Sequence, residues 1–457
     1  MNIIILGAGQ VGGTLAESLV REYNDITVVD TKPELLAELQ NRLDIRTVVG
    51  AASNPDVIAL AGGEHADMLI AVTDIDEVNM IACEVAQAIF SIPTKIARIR
   101  DRSYLKYPQL FDAKAIPVDE LISPEELVTR FVQRLIEHPG ALQVLDFAEG
   151  KVKLVAVRPE IGGFLVGKSI EDVMTALPAV DMQIAAIFRG NNAVHLTNDT
   201  CIELGDEVFF LATPQHIQQI LTALGRHDNP NKRIMIVGGG HIGSQLAESL
   251  ESHYQVKIIE RDSARSQFLS EFLHHTTVLL GDAADRELLL NENINFIDVF
   301  VAVTNDDEAN IMSCMQAKRL GAHHVMALIN RPAYVELIEG GLIDTAISPQ
   351  QITIGAILTR LRRGDIVNVY SLRRGAAEAI EVVAHGDRDT SKVVGRELSH
   401  IHLPSGTRIG AVVRGDEVLM AQSHLVLEAD DHVILFVDNK KNIHLVEQLF
   451  QVNFGYF

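Results

Sequence analysis

The hydrophobic positions of the chain follow two alternating patterns, short apolar runs and longer segments with apolar residues at helical spacing. Short, mostly apolar runs predict five strands, at residues 3–6, 26–29, 47–49, 68–72 and 95–99, and leucines at helical spacing mark residues 33–43. Strands that alternate with helices of this length are typical of a parallel sheet, because each helix returns the chain to the edge where the next strand begins. The first part of the chain is therefore predicted to form a Rossmann-like, doubly wound α/β domain.

A different pattern begins at Ser123. The run Ser123-Pro124-Glu125-Glu126 predicts a helix start, since Ser can cap the first turn, Pro suits its first position and acidic side chains favour its positive end. After this helix, expected to end near His138, residues 142–224 contain mostly short alternating runs, with turns at Arg189-Gly190-Asn191 and Gly205-Asp206. These features predict a small α+β domain.

The whole pattern occurs twice. Three pairs of segments match: Ile3 to Gly12 with Ile234 to Gly243, Ala71 to Asn79 with Ala302 to Asn310, and Ser123-Pro124 with Ser348-Pro349. Their spacing is nearly constant, so the predicted fold class is α/β, with two tandem Rossmann-like doubly wound parallel-sheet domains, each followed by a small α+β domain. The predicted ranges are 1–122 and 232–347 for the Rossmann-like domains, and 123–225 and 348–457 for the helices with their small domains. Gly225 to Lys232 is polar and is predicted to be the linker.

Each Rossmann-like half opens with a strand that runs directly into a glycine motif and a helix. The motifs are Gly7-Ala8-Gly9-Gln10-Val11-Gly12 and Gly238-Gly239-Gly240-His241-Ile242-Gly243. In such a motif the first glycine permits a tight turn, the second lets the backbone reach a pyrophosphate, and the third lets the helix pack on the strand. The motifs predict two nucleotide sites. The alternative is that the glycines serve only the turn between strand and helix.

An acidic residue at the end of the second strand supports the nucleotide interpretation in both halves. Asp30 is followed by Thr31, and Glu260 is followed by Arg261. A carboxylate at this position accepts hydrogen bonds from the ribose hydroxyls of adenosine and repels a 2′-phosphate. NAD(H) is therefore favoured over NADP(H).

Further candidates follow the fourth and fifth strands, whose carboxyl ends border the ligand crevice of a doubly wound sheet. After the fourth strands these are Thr73, Asp74, Thr304 and Asn305. Asp74 is explained equally well as the cap of the following helix. The Arg98 guanidinium on the fifth strand is a candidate phosphate clamp, and its counterpart is Leu328, so the two sites differ in charge.

Composition narrows the range of partners. The 457 residues include 39 Lys and Arg and 61 Asp and Glu, giving a formal charge of −22. This charge argues against nucleic acid and anionic lipid, and suits a basic protein face. No apolar run reaches the ~18 residues of a membrane helix, no signal peptide precedes the first strand, and Cys83, Cys201 and Cys314 lack metal or redox spacing. We expect a cytoplasmic protein without a metal site.

The sequence has no motif typical of a catalytic site, which favours a binding protein over an enzyme. The small domains contain no His, Asp and Lys cluster or nucleophile motif, and no Walker-type lysine follows either glycine motif. We therefore predict a binding protein without catalytic residues. One alternative is an NAD-dependent oxidoreductase with duplicated coenzyme domains, which would turn over NADH. Another is a structural scaffold, which would bind no nucleotide.

The repeated features resemble the RCK family, whose domains regulate potassium conductance, over almost the entire chain. The glycine motif, Asp30, the segment from Val72 to Asn79, Arg98 and the Ser123-Pro124 helix carry the resemblance. Tandem copies resemble the cytosolic regulatory subunits of bacterial Trk potassium-uptake systems. The resemblance implies a homotetrameric ring beneath a membrane-embedded potassium channel subunit, peripheral to the inner face of the cell membrane. It also implies NAD(H), ATP and ADP as ligands.

The two halves differ in one feature that the resemblance makes relevant. Gly281-Asp282 follows the third strand of the second half, whereas Gly50-Ala51 occupies this place in the first half. The resemblance implies that Asp282 contributes to the second nucleotide site, and that the adenine edge of the first site is built differently. Movement caused by a nucleotide is expected to pass through the helices that begin at Ser123 and Ser348.

Overall fold

The computed structural model of the protein describes residues 1–20, 24–112, 115–159, 162–190, 192–224, 232–338, 343–361, 366–372, 377–438 and 442–452. Most of the predicted linker, residues 225–231, lies outside the described residues. The same holds for Asn191 of a predicted turn.

The first Rossmann-like domain alternates strands and helices. Its strands are β1 Asn2–Leu6, β2 Asp25–Asp30, β3 Arg46–Val49, β4 Met68–Ala71, β5 Thr94–Arg98 and β6 Glu120–Ile122. Its helices are α1 Gln10–Val20, α2 Pro33–Arg42, α3 Pro55–Leu60, α4 Asp76–Ala88 and α5 Arg102–Leu105. All strand pairs are parallel, in the order β3-β2-β1-β4-β5-β6. The order reverses between β1 and β4, which leaves a crevice at their carboxyl ends.

The first small domain follows the helix that the Ser-Pro motif starts. Its elements are α6 Pro124–Glu137, β7 Gln143–Phe147, β8 Val152–Val157, α7 Ile170–Ala176, β9 Met182–Arg189, β10 Asn192–Ala193, β11 Glu207–Ala212 and α8 Pro214–Ala223. The strands form an antiparallel sheet in the order β10-β9-β11-β8-β7. Gly190 and Gly205 have φ values of +58° and +88°, which explains glycine at these two turns.

The second Rossmann-like domain repeats the first. Its strands are β12 Arg233–Val237, β13 Gln255–Glu260, β14 Thr277–Leu280, β15 Val299–Ala302, β16 His324–Leu328 and β17 Thr345–Ile347. Its helices are α9 His241–Leu250, α10 Ser263–Phe272, α11 Arg286–Asn291, α12 Asp307–Arg319 and α13 Pro332–Ile338. The sheet is parallel, in the order β14-β13-β12-β15-β16-β17, and therefore has the same reversal beside its central strand.

The second small domain has the same kind of sheet as the first. Its elements are α14 Pro349–Leu361, β18 Ile366–Leu372, β19 Ala377–Ala384, β20 Thr407–Arg414, β21 Glu417–Met420, β22 Asp431–Val437 and α15 Ile443–Phe450. The strands are antiparallel, in the order β18-β19-β22-β20-β21. The two small sheets share one hydrophobic core, which includes Phe147, Phe209 and Phe436.

The predicted fold class is confirmed: two parallel sheets alternate with two antiparallel ones. The sequence analysis did not predict the last strand of each parallel sheet, β6 and β17. Each has only three residues, which is too short for a periodic pattern to be recognised. Among the helices of the described residues, none combines the length and the apolar character needed to cross a lipid bilayer.

Helix α14 belongs to the same compact unit as the first Rossmann-like domain. Residues 1–128 and 348–360 form one compact unit, and residues 129–347 and 361–457 form the other. The four domain ranges predicted from the sequence stay predictions. The grouping of α14 matters for the site, because this helix brings a residue of the second half to the first glycine turn.

Candidate functional site

The first and third glycines of each motif are required by the fold. Gly7 has a φ of +107°, and a Cβ there would lie 3.1 Å from the Thr73 nitrogen and from the Val72 carbonyl oxygen. A Cβ at Gly12 would lie 1.9 Å from the Gly7 carbonyl oxygen. The second half repeats both features, since Gly238 has a φ of +96° and a Cβ at Gly243 would lie 1.8 Å from the Gly238 carbonyl oxygen. These four glycines therefore allow the turn and the close approach of the helix.

The second glycine of each motif has no such structural reason. Apart from its chain neighbours, a Cβ at Gly9 or at Gly240 would meet no heavy atom of the described residues within 4 Å. Neither residue adopts a positive φ. The open space lies where α1 and α9 begin, at Gln10-Val11 and His241-Ile242. The free backbone N–H groups and the positive end of a helix at such a place are suited to a phosphate.

Asp30 and Glu260 connect the glycine turns to the ends of β2 and β13. Asp30 accepts hydrogen bonds from the backbone nitrogens of Ala8 (2.7 Å) and Lys32 (2.9 Å). Glu260 accepts from the nitrogens of Gly239 (2.7 Å) and Asp262 (2.8 Å). Each carboxylate oxygen can accept a further hydrogen bond. The carboxylates thus shape the turn and keep acceptor capacity for a ribose.

The residues that follow Asp30 and Glu260 are open to solvent. Thr31 and Arg261 are both exposed. Asp282 is exposed as well, and its carboxylate accepts a hydrogen bond from the Ala284 nitrogen at 2.8 Å, which shapes the turn after β14. These three side chains can therefore reach a ligand without rearrangement of the core.

A buried asparagine holds the turn after the fourth strand. Asn79 is fully buried; its Oδ1 accepts from the Thr73 nitrogen (3.0 Å) and from Thr73 Oγ1 (2.7 Å). Its Nδ2 donates to the carbonyl oxygens of Thr73 (3.2 Å) and Arg98 (2.9 Å). Asn310 makes the same four contacts with Thr304 and Leu328. The sequence analysis placed Asn79 in the repeat but missed its role, although its recurrence as Asn310 was a usable signal.

We expect Asn79→Ala to lower the stability of the first Rossmann-like domain by about 2–4 kcal/mol, because it removes the side-chain partner of the Thr73 nitrogen and of the Arg98 carbonyl oxygen. Differential scanning calorimetry measures the change. Asn310→Ala is the matched variant and should lower the stability of the second Rossmann-like domain by a similar amount. An unchanged melting profile in both variants would mean that the amide is dispensable.

Arg98 lies at the predicted edge of the sheet, but its guanidinium already forms hydrogen bonds with other residues of the chain. Its side chain is 6 % exposed, and Nη2 donates to the Thr73 carbonyl oxygen (2.8 Å) and to Asp74 Oδ1 (3.1 Å). Nε is buried without a hydrogen-bond partner among the described residues. Burial, followed by the charge of Arg100, lowers the pKa of Arg98, although Asp74 and Glu125 oppose the shift. A guanidinium remains charged nevertheless.

The second half has a cation in a different place. Arg265 on α10 donates from Nε to the Gly239 carbonyl oxygen (2.6 Å) and from Nη2 to Ser244 Oγ (3.3 Å). Its guanidinium also lies over the ring of Phe268, 4.7 Å from the centroid. The counterpart of Arg265 in α2 is Leu35. The sequence analysis missed Arg265, because nothing in the local pattern shows that this side chain reaches the glycine turn.

A residue from the second half contacts the first glycine turn. Gln350, in the first turn of α14, donates from Nε2 to the Gln10 carbonyl oxygen at 2.9 Å. The same nitrogen donates to Thr14 Oγ1. Helix α14 is therefore attached to the first turn of α1, which is the turn that begins at the open space beside Gly9.

One cavity lies away from the candidate site. It has a volume of about 330 Å³ and is lined by residues that include Arg233, Gln255 and Phe296. Arg233 and Gln255 begin β12 and β13, so the cavity lies at the amino ends of these strands, opposite the glycine turn. Within the described part of the chain, no group of three or more His, Cys, Asp or Glu side chains is placed to hold a metal ion.

Comparisons with known proteins match each half of the chain separately, in agreement with the internal duplication. The family profile of the TrkA-N domain matches residues 3–124 and 234–349, and that of the TrkA-C domain matches residues 154–225 and 388–451. The chain is 59 % identical over 457 residues to the Trk system potassium uptake protein TrkA of Halomonas elongata, covering 100 % of both chains. It is 58 % identical over 452 residues to the protein of the same name from Vibrio alginolyticus, covering 99 % of both.

A solved structure has the same fold at low sequence identity. The chain is similar to the GsuK channel bound to NAD, with a TM-score of 0.62 and 16 % identity, over 98 % of this chain and 78 % of that chain. At this identity the similarity concerns the fold alone.

Proposed function

Since the chain belongs to the TrkA family of Trk-system potassium uptake proteins, we propose that it senses NAD(H), ATP and ADP and thereby gates a membrane-embedded potassium channel subunit. The chain is a regulatory protein of potassium uptake and not an enzyme. The assembly proposed is a homotetrameric ring, peripheral to the inner face of the cell membrane.

The observation that carries the nucleotide proposal is the open space at Gly9 and Gly240. Neither glycine is required by backbone conformation or by packing, and both lie at the start of a helix. A ligand that approaches the backbone closely is the remaining physical reason for glycine at both positions. The relative GsuK has the same fold and is bound to NAD, which is consistent with a dinucleotide in such a crevice.

The adenosine side of each site is assigned to the carboxylates at the ends of β2 and β13. Asp30 and Glu260 would accept the ribose hydroxyls, and their charge disfavours a 2′-phosphate, so NAD(H) is the proposed dinucleotide. The pyrophosphate would lie at the first turns of α1 and α9. Arg98 is proposed to contact the terminal phosphate of ADP or ATP at the first site, where the second site has Leu328.

A ligand changes a conformational equilibrium only through different affinities for the two conformations. At the first site this difference has a physical route, because Gln350 attaches α14 to Gln10 and Thr14. A phosphate at the first turn of α1 therefore acts on a helix that leads into the second small domain. We propose that ATP favours one arrangement of the ring and that ADP or NADH favours another.

The contact with the channel subunit is proposed to be electrostatic in part. The chain has a formal charge of −22, and the cytoplasmic loops of membrane proteins carry an excess of Lys and Arg. An acidic protein face is therefore suited to such loops. The association should weaken as salt concentration rises, because salt screens exposed charges.

One experiment separates this function from its alternatives. The full chain is titrated with NADH, ADP and ATP by isothermal calorimetry, while NADH absorbance is followed in the same solution with candidate small substrates. We expect saturable binding without consumption of NADH. Steady consumption would support an NAD-dependent oxidoreductase, and the absence of any binding would support a scaffold.

A further inference from the structure

A charged group of three residues lies beside the first crevice. It consists of Asp74 after β4, and Arg98 and Arg100 at the end of β5 and just beyond it. Asp74 Oδ1 lies 3.1 Å from Arg98 Nη2 and 3.6 Å from Arg100 Nη2. The Asp74 side chain is 88 % exposed, whereas Arg98 is 6 % exposed. A solvent-exposed carboxylate thus covers a buried guanidinium.

The group adjoins the glycine turn. The backbone nitrogen of Thr73, the residue before Asp74, would lie 3.1 Å from a Cβ at Gly7. Arg98 donates to the Thr73 carbonyl oxygen from the other side. Its Nε is buried without a partner among the described residues, so the guanidinium has unused donor capacity. A ligand that extends from the glycine turn past Thr73 therefore meets this group.

The second half forms the same turn without these three charges. Its counterparts of Asp74, Arg98 and Arg100 are Asn305, Leu328 and Asn330. All three are uncharged, although the surrounding Asn310 contacts and the backbone bonds of Asp307 match those of Asn79 and Asp76. The charges are therefore not needed for the turn. They differ between the halves as a set, which indicates one shared role at the first crevice.

We propose that Asp74 determines the ligand specificity of the first crevice, as an internal anion that the free terminal phosphate of a nucleotide displaces from Arg98 and Arg100. This inference rests on the proposed nucleotide-sensing function. The Asp74 carboxylate is held only weakly, since it is itself exposed and water and salt screen its charge. A terminal phosphate has up to two charges and three acceptor oxygens, so it binds two arginines better than one carboxylate does.

The displacement produces selectivity between ligand classes. A nucleotide with a free terminal phosphate, such as ADP or ATP, replaces the Asp74 carboxylate at the two arginines by an anion of higher charge. A dinucleotide such as NADH has only esterified phosphates, so it lacks the group that replaces the carboxylate. Asp74 therefore competes with the terminal phosphate for the two arginines. This competition weakens ADP and ATP binding relative to a site without the carboxylate.

The test is calorimetric titration of the full chain with ADP, ATP and NADH, in a Gly240→Ala background that weakens the second crevice. We expect Asp74→Asn to tighten ADP and ATP binding by about three- to tenfold, as for the loss of one exposed like charge. NADH affinity should change less than twofold. The gain should decrease with added salt, because the removed repulsion is electrostatic.

Two further variants complete the test. Asn305→Asp in the same background is the matched control and should leave ADP and ATP binding unchanged, because it adds the charge at the crevice that Gly240→Ala weakens, away from Arg98 and Arg100. In Arg98→Leu, the additional change Asp74→Asn should lose most of its effect. Unchanged or weaker ATP binding in Asp74→Asn would overturn this inference and leave the proposed function intact. A wild-type chain that binds no nucleotide would overturn the proposed function itself.

Discussion

Gly9→Ala is expected to reduce NADH and ADP affinity at the first crevice at least about tenfold, the equivalent of ~1.4 kcal/mol. A methyl group at this position has no other described residue within 4 Å, apart from its chain neighbours. It extends into the space that a pyrophosphate requires at the first turn of α1. The melting temperature should stay close to that of the wild type, because neither packing nor backbone conformation changes. Calorimetric titration and thermal melting of the same sample measure both effects.

Gly12→Ala is the control that reverses this pattern. Its Cβ would lie 1.9 Å from the Gly7 carbonyl oxygen, so the variant should lose stability before any ligand is added. Gly240→Ala should reproduce the effect of Gly9→Ala at the second crevice. Unaltered affinity in both Gly9→Ala and Gly240→Ala would mean that the open space is not the phosphate site. Potassium uptake in cells that express the channel subunit with each variant shows whether the sites control transport.

The comparison of sequence and structure shows which features were predictable. The glycine motifs and the strand-helix alternation depend on local spacing, and the spacing was sufficient to predict two doubly wound sheets. The duplication also showed in advance that Arg98 has no equivalent in the second half. The motifs depend on residues that are close in sequence, and the duplication can be found by comparing the chain with itself. A single sequence is therefore sufficient to predict both.

The contacts around the sites could not be predicted in the same way. Asp74 covers Arg98, Arg265 reaches the Gly239 carbonyl oxygen, and Gln350 reaches Gln10. Each contact joins residues on different elements, and for Gln350 the separation along the chain is 340 residues. Periodicity determines which face of an element is buried, but not which side chain of another element it meets. The residue types at these positions are common on any surface.

The two Rossmann-like domains thus have the same backbone arrangement but differ in the positions of the positive charges at their crevices. The first crevice has its cations after β5, on the side of the sheet away from Asp30, whereas the second has Arg261 and Arg265 on the side of β13. In a doubly wound sheet the adenosine lies toward the second strand, and the remainder of the ligand extends toward the fourth. We therefore expect the two crevices to differ in their affinity for a charged terminal phosphate.

The small domains are joined by a buried carboxylate that has no counterpart in the repeat. Glu381 on β19 is fully buried, and its position in β8 is taken by Ala156. Its oxygens accept from the Ala148 nitrogen of the first small domain (3.0 Å), from Asn368 Nδ2 (2.6 Å) and from His432 Nδ1 (2.6 Å). A carboxylate with three donors in the shared core fixes how the two sheets meet.

We expect Glu381→Ala to destabilise the pair of small domains by about 2–4 kcal/mol, because it leaves the buried Ala148 nitrogen without its acceptor and removes the acceptor of the half-buried Asn368 and His432. The chain has no Trp, so urea unfolding is followed by far-ultraviolet circular dichroism. Asn368→Ala is the graded control and should cost less, since it removes one donor and leaves two on the carboxylate. Equal losses in the two variants would show that Asn368, and not the carboxylate, is the group on which the junction depends.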